Sequence, residues 1–134
     1  MTHWKGIIIH HSASQDASAE EIRRWHIKRG FKDIGYHFVI RKDGNLELGR
    51  PLSQIGLFKA HCRGYNKEYI GIVLTGNFEE YPPSDEQYKT LKTVLQVLTA
   101  AFQIDPFEIF LHKDLANTLC PGKYFSMEKT ADAY

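Results

Sequence analysis

Apolar residues are spaced in two distinct ways along this chain. Gly6 to His11 is a short continuous run, Gly-Ile-Ile-Ile-His-His, the pattern of a central buried strand. Tyr36 to Ile40, Ile70 to Leu74 and Phe107 to Leu111 read the same way. Between them the spacing turns helical. Ser18-Ala-Glu-Glu21 has the capping-box form, with Ser at the cap and Glu three residues on. A helix is expected from about Ala19 to Arg29, stopped by Gly30, with Ile22 and Trp25 inward. Ser84-Asp-Glu-Gln87 is a second capping box. Tyr88, Leu91, Leu95, Leu98 and Phe102 then follow at three- and four-residue intervals, an amphipathic helix.

The connections are also partly legible. Lys42-Asp-Gly-Asn45 is a hairpin signal that returns Leu46-Glu-Leu48 antiparallel. Gly49 to Tyr65 has no periodicity and reads as a long surface connection, the kind that often carries function. Met127 to Tyr134 is expected to close the chain as a short helix. Strands alternating with helices make the class α/β, with the hairpin in a mixed sheet and residues 1–134 as one domain.

Composition narrows the function classes. The chain has 134 residues, 43% hydrophobic and 25% charged, enough for one proper core. A formal net charge of +1 gives no bulk attraction to nucleic acid or to a membrane surface. No apolar run nears the ~18 residues of a membrane span. Met1-Thr-His-Trp-Lys5 leads straight into a strand without the parts of a signal peptide, so synthesis in the cytoplasm is expected. In such a chain Cys62 and Cys120 are expected as free thiols or metal ligands rather than a disulfide.

The chemistry gathers at the two ends of the chain. His112 and Cys120 stand eight residues apart across a polar loop closed by Pro121-Gly122. Imidazole and thiolate suit a borderline-soft ion such as zinc. A third ligand is sought in His10-His11. Successive side chains of a regular strand point to opposite faces, so one of the two is free to bind metal while the other packs or hydrogen-bonds. Periodicity leaves open which. His26 reads as surface or structural, and Cys62 is the only spare thiol for a closed, purely structural site.

These residues carry a wider resemblance. Ile8-Ile-His-His-Ser-Ala13, Ile22-Arg-Arg-Trp-His26, Gly35-Tyr-His-Phe-Val-Ile40 with Asp43-Gly44, and Ala60-His61 with Gly64-Tyr-Asn66 come in order. Ile70-Gly-Ile72, Gly76-Asn-Phe78, and His112 through Thr118 to Cys120-Pro-Gly122 complete the series. Together they resemble the zinc-dependent N-acetylmuramoyl-L-alanine amidases of the second type, which include amidase-type phage lysozymes and peptidoglycan recognition proteins. The resemblance implies a central mixed sheet of about five strands flanked by helices. It implies one zinc ion on His10, His112 and Cys120, with Tyr36 as a catalytic hydroxyl and Thr118 as a second polar contact. Phage lysozymes of the family carry Lys where Thr118 stands, and catalytic recognition proteins commonly carry Thr. It places His37, His61 and Asn77 along the substrate groove.

The implied substrate is peptidoglycan, cut at the amide between N-acetylmuramic acid and L-alanine. The expected protein is a monomer, without nucleic-acid or membrane partners, acting on the wall after phage-lysin-like release or by another export route. The alternative is a peptidoglycan-binding module without catalysis. Non-catalytic recognition proteins typically lack the cysteine that is present here as Cys120.

Overall fold

The computed structural model describes residues 4–53 and 61–130. Five strands form one sheet: β1 (Gly6–His11), β2 (Phe38–Ile40), β3 (Leu46–Leu48), β4 (Tyr69–Leu74) and β5 (Ile109–Leu111). Their order is β3-β2-β4-β1-β5, with β3 antiparallel and the other neighbours parallel. β1 and β4 are buried along their whole length. That burial explains why each reads as an unbroken apolar run.

The register sorts the side chains onto two faces. Ile7 and Ile9 of β1 and Ile70, Ile72 and Leu74 of β4 pack against α2 (Asp85–Phe102) in the larger core cluster. Val39 and Val73 face the other way, towards Ile22 of α1 (Ala19–Lys28). His10 is level with Val73 and Ile8 with Gly71, so both lie on that second face. Both capping boxes form as the sequence predicts, at Ser18 with Glu21 and at Ser84 with Gln87. The Gln87 amide also donates to Ile40 O and Thr75 O, tying the start of α2 to the ends of β2 and β4.

Several expectations are corrected. The strand expected from Phe107 begins at Ile109, because Asp105 caps a 3-10 turn over Pro106–Glu108 by accepting from Phe107 N. Phe107 is 88% exposed, and β5 is a half-buried edge strand that, among the described residues, pairs only with β1. Trp25 is turned outward, and the inner face of α1 is Ala19, Ile22 and His26. The strand expected from Tyr36 begins at Phe38. The connection from Gly49 is not all surface: Arg50, His61 and Cys62 are buried, while residues 54–60 lie outside the described ones. At the C-terminal end a 3-10 turn spans Met127–Thr130, and the remainder of the expected helix lies outside the described residues.

Candidate metal centre

The site lies where β1 and β5 end. β1 delivers His10, and the chain leaving β5 turns at once into α3 (His112–Leu115), which opens with His112. The loop beyond returns to the same point, because Lys113 N donates to Cys120 O at 2.8 Å. Thr118 Oγ1 accepts from Cys120 N at 3.2 Å. Gly122, at φ +101°, then rests on the next loop: a Cβ there would lie 2.4 Å from the carbonyl carbon of Phe78. Only glycine satisfies both the left-handed backbone and that approach. Tyr124 N adds a hydrogen bond to Phe78 O.

These constraints bring together His10, His112 and Cys120, whose donor atoms all lie within 4.8 Å of one another. His10 Nδ1 is 3.2 Å from His112 Nδ1 and 3.8 Å from Cys120 Sγ. Two imidazole nitrogens and a sulfur crowd one point without a carboxylate in the set, a donor group suited to a borderline-soft cation. Cys62 is not in this group. It is a free thiol packed with Ile8 and Tyr69, which removes the candidate fourth ligand of a closed structural site.

The alternation along β1 separates the two histidines as the strand pattern requires. His10 points into the donor group. His11 points to the opposite face, where its Nδ1 accepts from Phe78 N at 3.1 Å. The His11 backbone still serves the site, since its N–H donates to Cys120 Sγ at 3.3 Å. Burial holds the Cys120 thiol up at about 12, against the opposing effect of that N–H. Burial also lowers the pKa of His10, reinforced by His61 and His112, and burial lowers that of His112. Both rings are therefore neutral near pH 7, the form that can ligate.

The other sequence-predicted residues are placed differently from one another. Tyr36 is half-buried, with its ring 4.9 Å from that of His10 and 5.4 Å from that of His26. Burial raises its phenol pKa, so the hydroxyl keeps its proton at neutral pH. Thr118 stands beside Cys120, with its own hydroxyl proton uncommitted to the Cys120 bond. His61 is 2% exposed and sits behind His10, with His10 Nε2 3.2 Å from His61 Nδ1. His37 is also buried; its Nδ1 accepts from Gly71 N, and burial takes its pKa down to about 2. Asn77 is in the turn after β4, where its side chain accepts from Glu79 N and donates to Glu80. No described contact joins Asn77 to the donor group.

Sequence reasoning gave Gly71 and Asn66 no role of their own. A Cβ on Gly71 would lie 2.9 Å from His61 Cγ, so the ring of His61 rests on this bare backbone. Asn66 accepts from His61 N and Cys62 N and donates to Cys62 O, folding the segment that carries His61. The glycine in the middle of Ile70-Gly-Ile72 was the available signal, since glycine inside a strand marks close approach by another group.

A mixed sheet with two imidazoles and a thiol converging at the ends of two parallel strands makes an α/β protein with a donor group that could hold a metal ion. Residues 1–123 match the family model described as N-acetylmuramoyl-L-alanine amidase, and the chain belongs to that family of amidases. It is 34% identical over 126 residues to the endolysin of Enterobacteria phage T3, covering 88% of this chain and 80% of that one. It is 30% identical over 131 residues to a peptidoglycan-recognition protein of Drosophila simulans, covering 91% and 70%. Among solved structures, N-acetylmuramoyl-L-alanine amidase LysC from Clostridium intestinale superposes with a TM-score of 0.88 at 33% identity, covering 96% of this chain and 83% of that one.

Proposed function

We propose that the protein hydrolyses the amide between the lactyl group of N-acetylmuramic acid and the first L-alanine of the peptidoglycan stem, with one zinc ion held by His10, His112 and Cys120. The observation that carries this reading is the convergence of those three donors in a chain of the amidase family. Zinc bound there supplies Lewis acidity at the scissile carbonyl and lowers the pKa of water towards ~7.

The chain's own groups divide the remaining work. Tyr36 keeps its phenol proton and donates it in a hydrogen bond to the carbonyl oxygen as negative charge gathers there. The Thr118 hydroxyl, anchored to Cys120 N, offers a second donor on the loop side. The His11 N–H stabilises negative charge on the Cys120 sulfur, which must be a thiolate to ligate. His37, His61 and Asn77 are the candidate substrate-side residues. His37 would act from beneath the surface, and His61, whose ring nitrogens face His10 and Tyr69 O, would act through His10.

The endolysin relatives support action on the cell wall after release. No helix among the described residues is long and apolar enough to cross a membrane. A single protomer acts alone, with neither nucleic acid nor membrane as partner.

The test is metal content by mass spectrometry together with release of stem peptides from purified peptidoglycan, for the natural protein and Cys120→Ala. About one zinc per chain with amide cleavage, both lost in the variant, is the expected result. Wall binding without zinc or cleavage would overturn it in favour of a recognition module.

A further inference from the structure

We infer that His61 is a positioning residue that fixes the tautomer of His10, so that His10 presents a bare Nδ1 to the donor group. This rests on the reading that His10, His112 and Cys120 hold a metal. His61 Nε2 lies 2.9 Å from Tyr69 O, and a carbonyl oxygen can only accept. The proton of that bond is therefore on His61 Nε2. A neutral imidazole carries one N–H, so His61 Nδ1 is a bare acceptor. It lies 3.2 Å from His10 Nε2, which must then carry the proton. His10 Nδ1 is left with its lone pair, directed towards His112 Nδ1 and Cys120 Sγ.

The opposite tautomer of His10 fails on both sides. It would set two lone pairs against each other at 3.2 Å and aim an N–H at the place where a ligand atom is needed. A doubly protonated His61 would satisfy the contact but put a cation on a ring that is 2% exposed, which burial disfavours.

The support behind His61 is rigid. Its ring packs on Gly71, where a Cβ would approach Cγ to 2.9 Å and Nδ1 to 3.0 Å. Its backbone N–H is bound by Asn66 Oδ1. The relay thus runs from a carbonyl of β4, through a loop histidine, to a ligand on β1, and each link has one allowed proton position. An outer partner of this kind commonly changes metal affinity by about 10–100-fold when removed.

The experiment reads the tautomer directly. Metal-free protein carrying ¹⁵N-histidine is examined near pH 7.5 by long-range ¹H–¹⁵N correlation, with His10→Gln and His61→Asn variants used for assignment. His10 and His61 both protonated on Nε2 is the expected result, and a His10 ring protonated on Nδ1 overturns the inference. In parallel, zinc affinity is measured by chelator competition for His61→Phe and His61→Asn. The phenyl ring keeps the shape and removes the acceptor, and zinc binding is expected to weaken at least about tenfold. The Asn amide oxygen can stand at the Nδ1 position and is expected to restore most of it. Unchanged affinity in a folded His61→Phe protein overturns the inference. Should His61→Phe fail to fold, the tautomer of the natural protein still decides. If the natural protein binds no zinc, the amidase reading falls, and the proton position on His10 is still read independently.

Discussion

The backbone N–H of His11 donates to the sulfur of Cys120 at 3.3 Å, joining residues 109 positions apart. The contact seats the thiol against the end of β1 through the backbone itself. Cys120→Ala should therefore lose metal with little loss of fold, because the loop keeps its Lys113, Thr118 and Gly122 anchors apart from the sulfur. Circular dichroism of the variant alongside its zinc content checks this. A variant that unfolds would mean that the sulfur is a structural requirement in itself.

Tyr36→Phe removes one hydroxyl and no ligand. Zinc should stay bound, and turnover should fall by about 10²–10³-fold, the range seen when one oxyanion donor is deleted. Measuring kcat and metal content on the same preparation decides it. Full activity in the variant would take Tyr36 out of the chemistry.

His10 and His11 should give opposite phenotypes. His10→Phe should lose zinc. His11→Phe should keep it but leave Phe78 N–H buried without its acceptor, at about 1–3 kcal/mol of stability. Urea unfolding and zinc titration of both variants separate the two effects. Zinc loss in His11→Phe together with retention in His10→Phe would reverse the assignment of strand faces.

Gly122→Ala should destabilise the protein by about 2 kcal/mol or more, since the position combines positive φ with a 2.4 Å approach to Phe78. Because the loop must shift to relieve that contact, zinc affinity should fall as well. A neutral effect on both would show that the loop is free to move.

Acid should weaken the fold. Burial lowers the pKa of His26 to about 4 and of His37 to about 2, from about 6.5 in an unfolded chain. Below pH ~6.5 the unfolded chain binds protons that the folded one refuses, so stability falls as pH drops towards 4 and is fully present above ~6.5. His26 alone contributes on the order of 3 kcal/mol across that range. Unfolding free energies between pH 7.5 and 4 should slope upward with pH, and a flat profile would contradict the buried, neutral rings.

The fold was legible wherever its cause is local. Both capping boxes and the apolar runs of β1 and β4 depend on residues a few positions apart, and they formed as expected. Trp25 and Phe107 misled because their exposure is set by what the rest of the chain leaves uncovered. His112 and Cys120 stand out as candidate donors by residue type and spacing, whereas the choice of His10 over His11 needs the family resemblance. The role of His61 was not legible, because its partners Tyr69 and His10 are 8 and 51 residues away and meet it only in the folded sheet.

His10 meets the other two candidate donors, His112 and Cys120, across sequence separations of 102 and 110 residues. On the ribosome, β1 therefore emerges long before anything it could share a metal with. A growing chain holds His10 without the full donor group until His112 and then Cys120 have been made. On the proposed reading activity is withheld up to that moment, because a chain broken off before that loop lacks Cys120, one of the three converging donors.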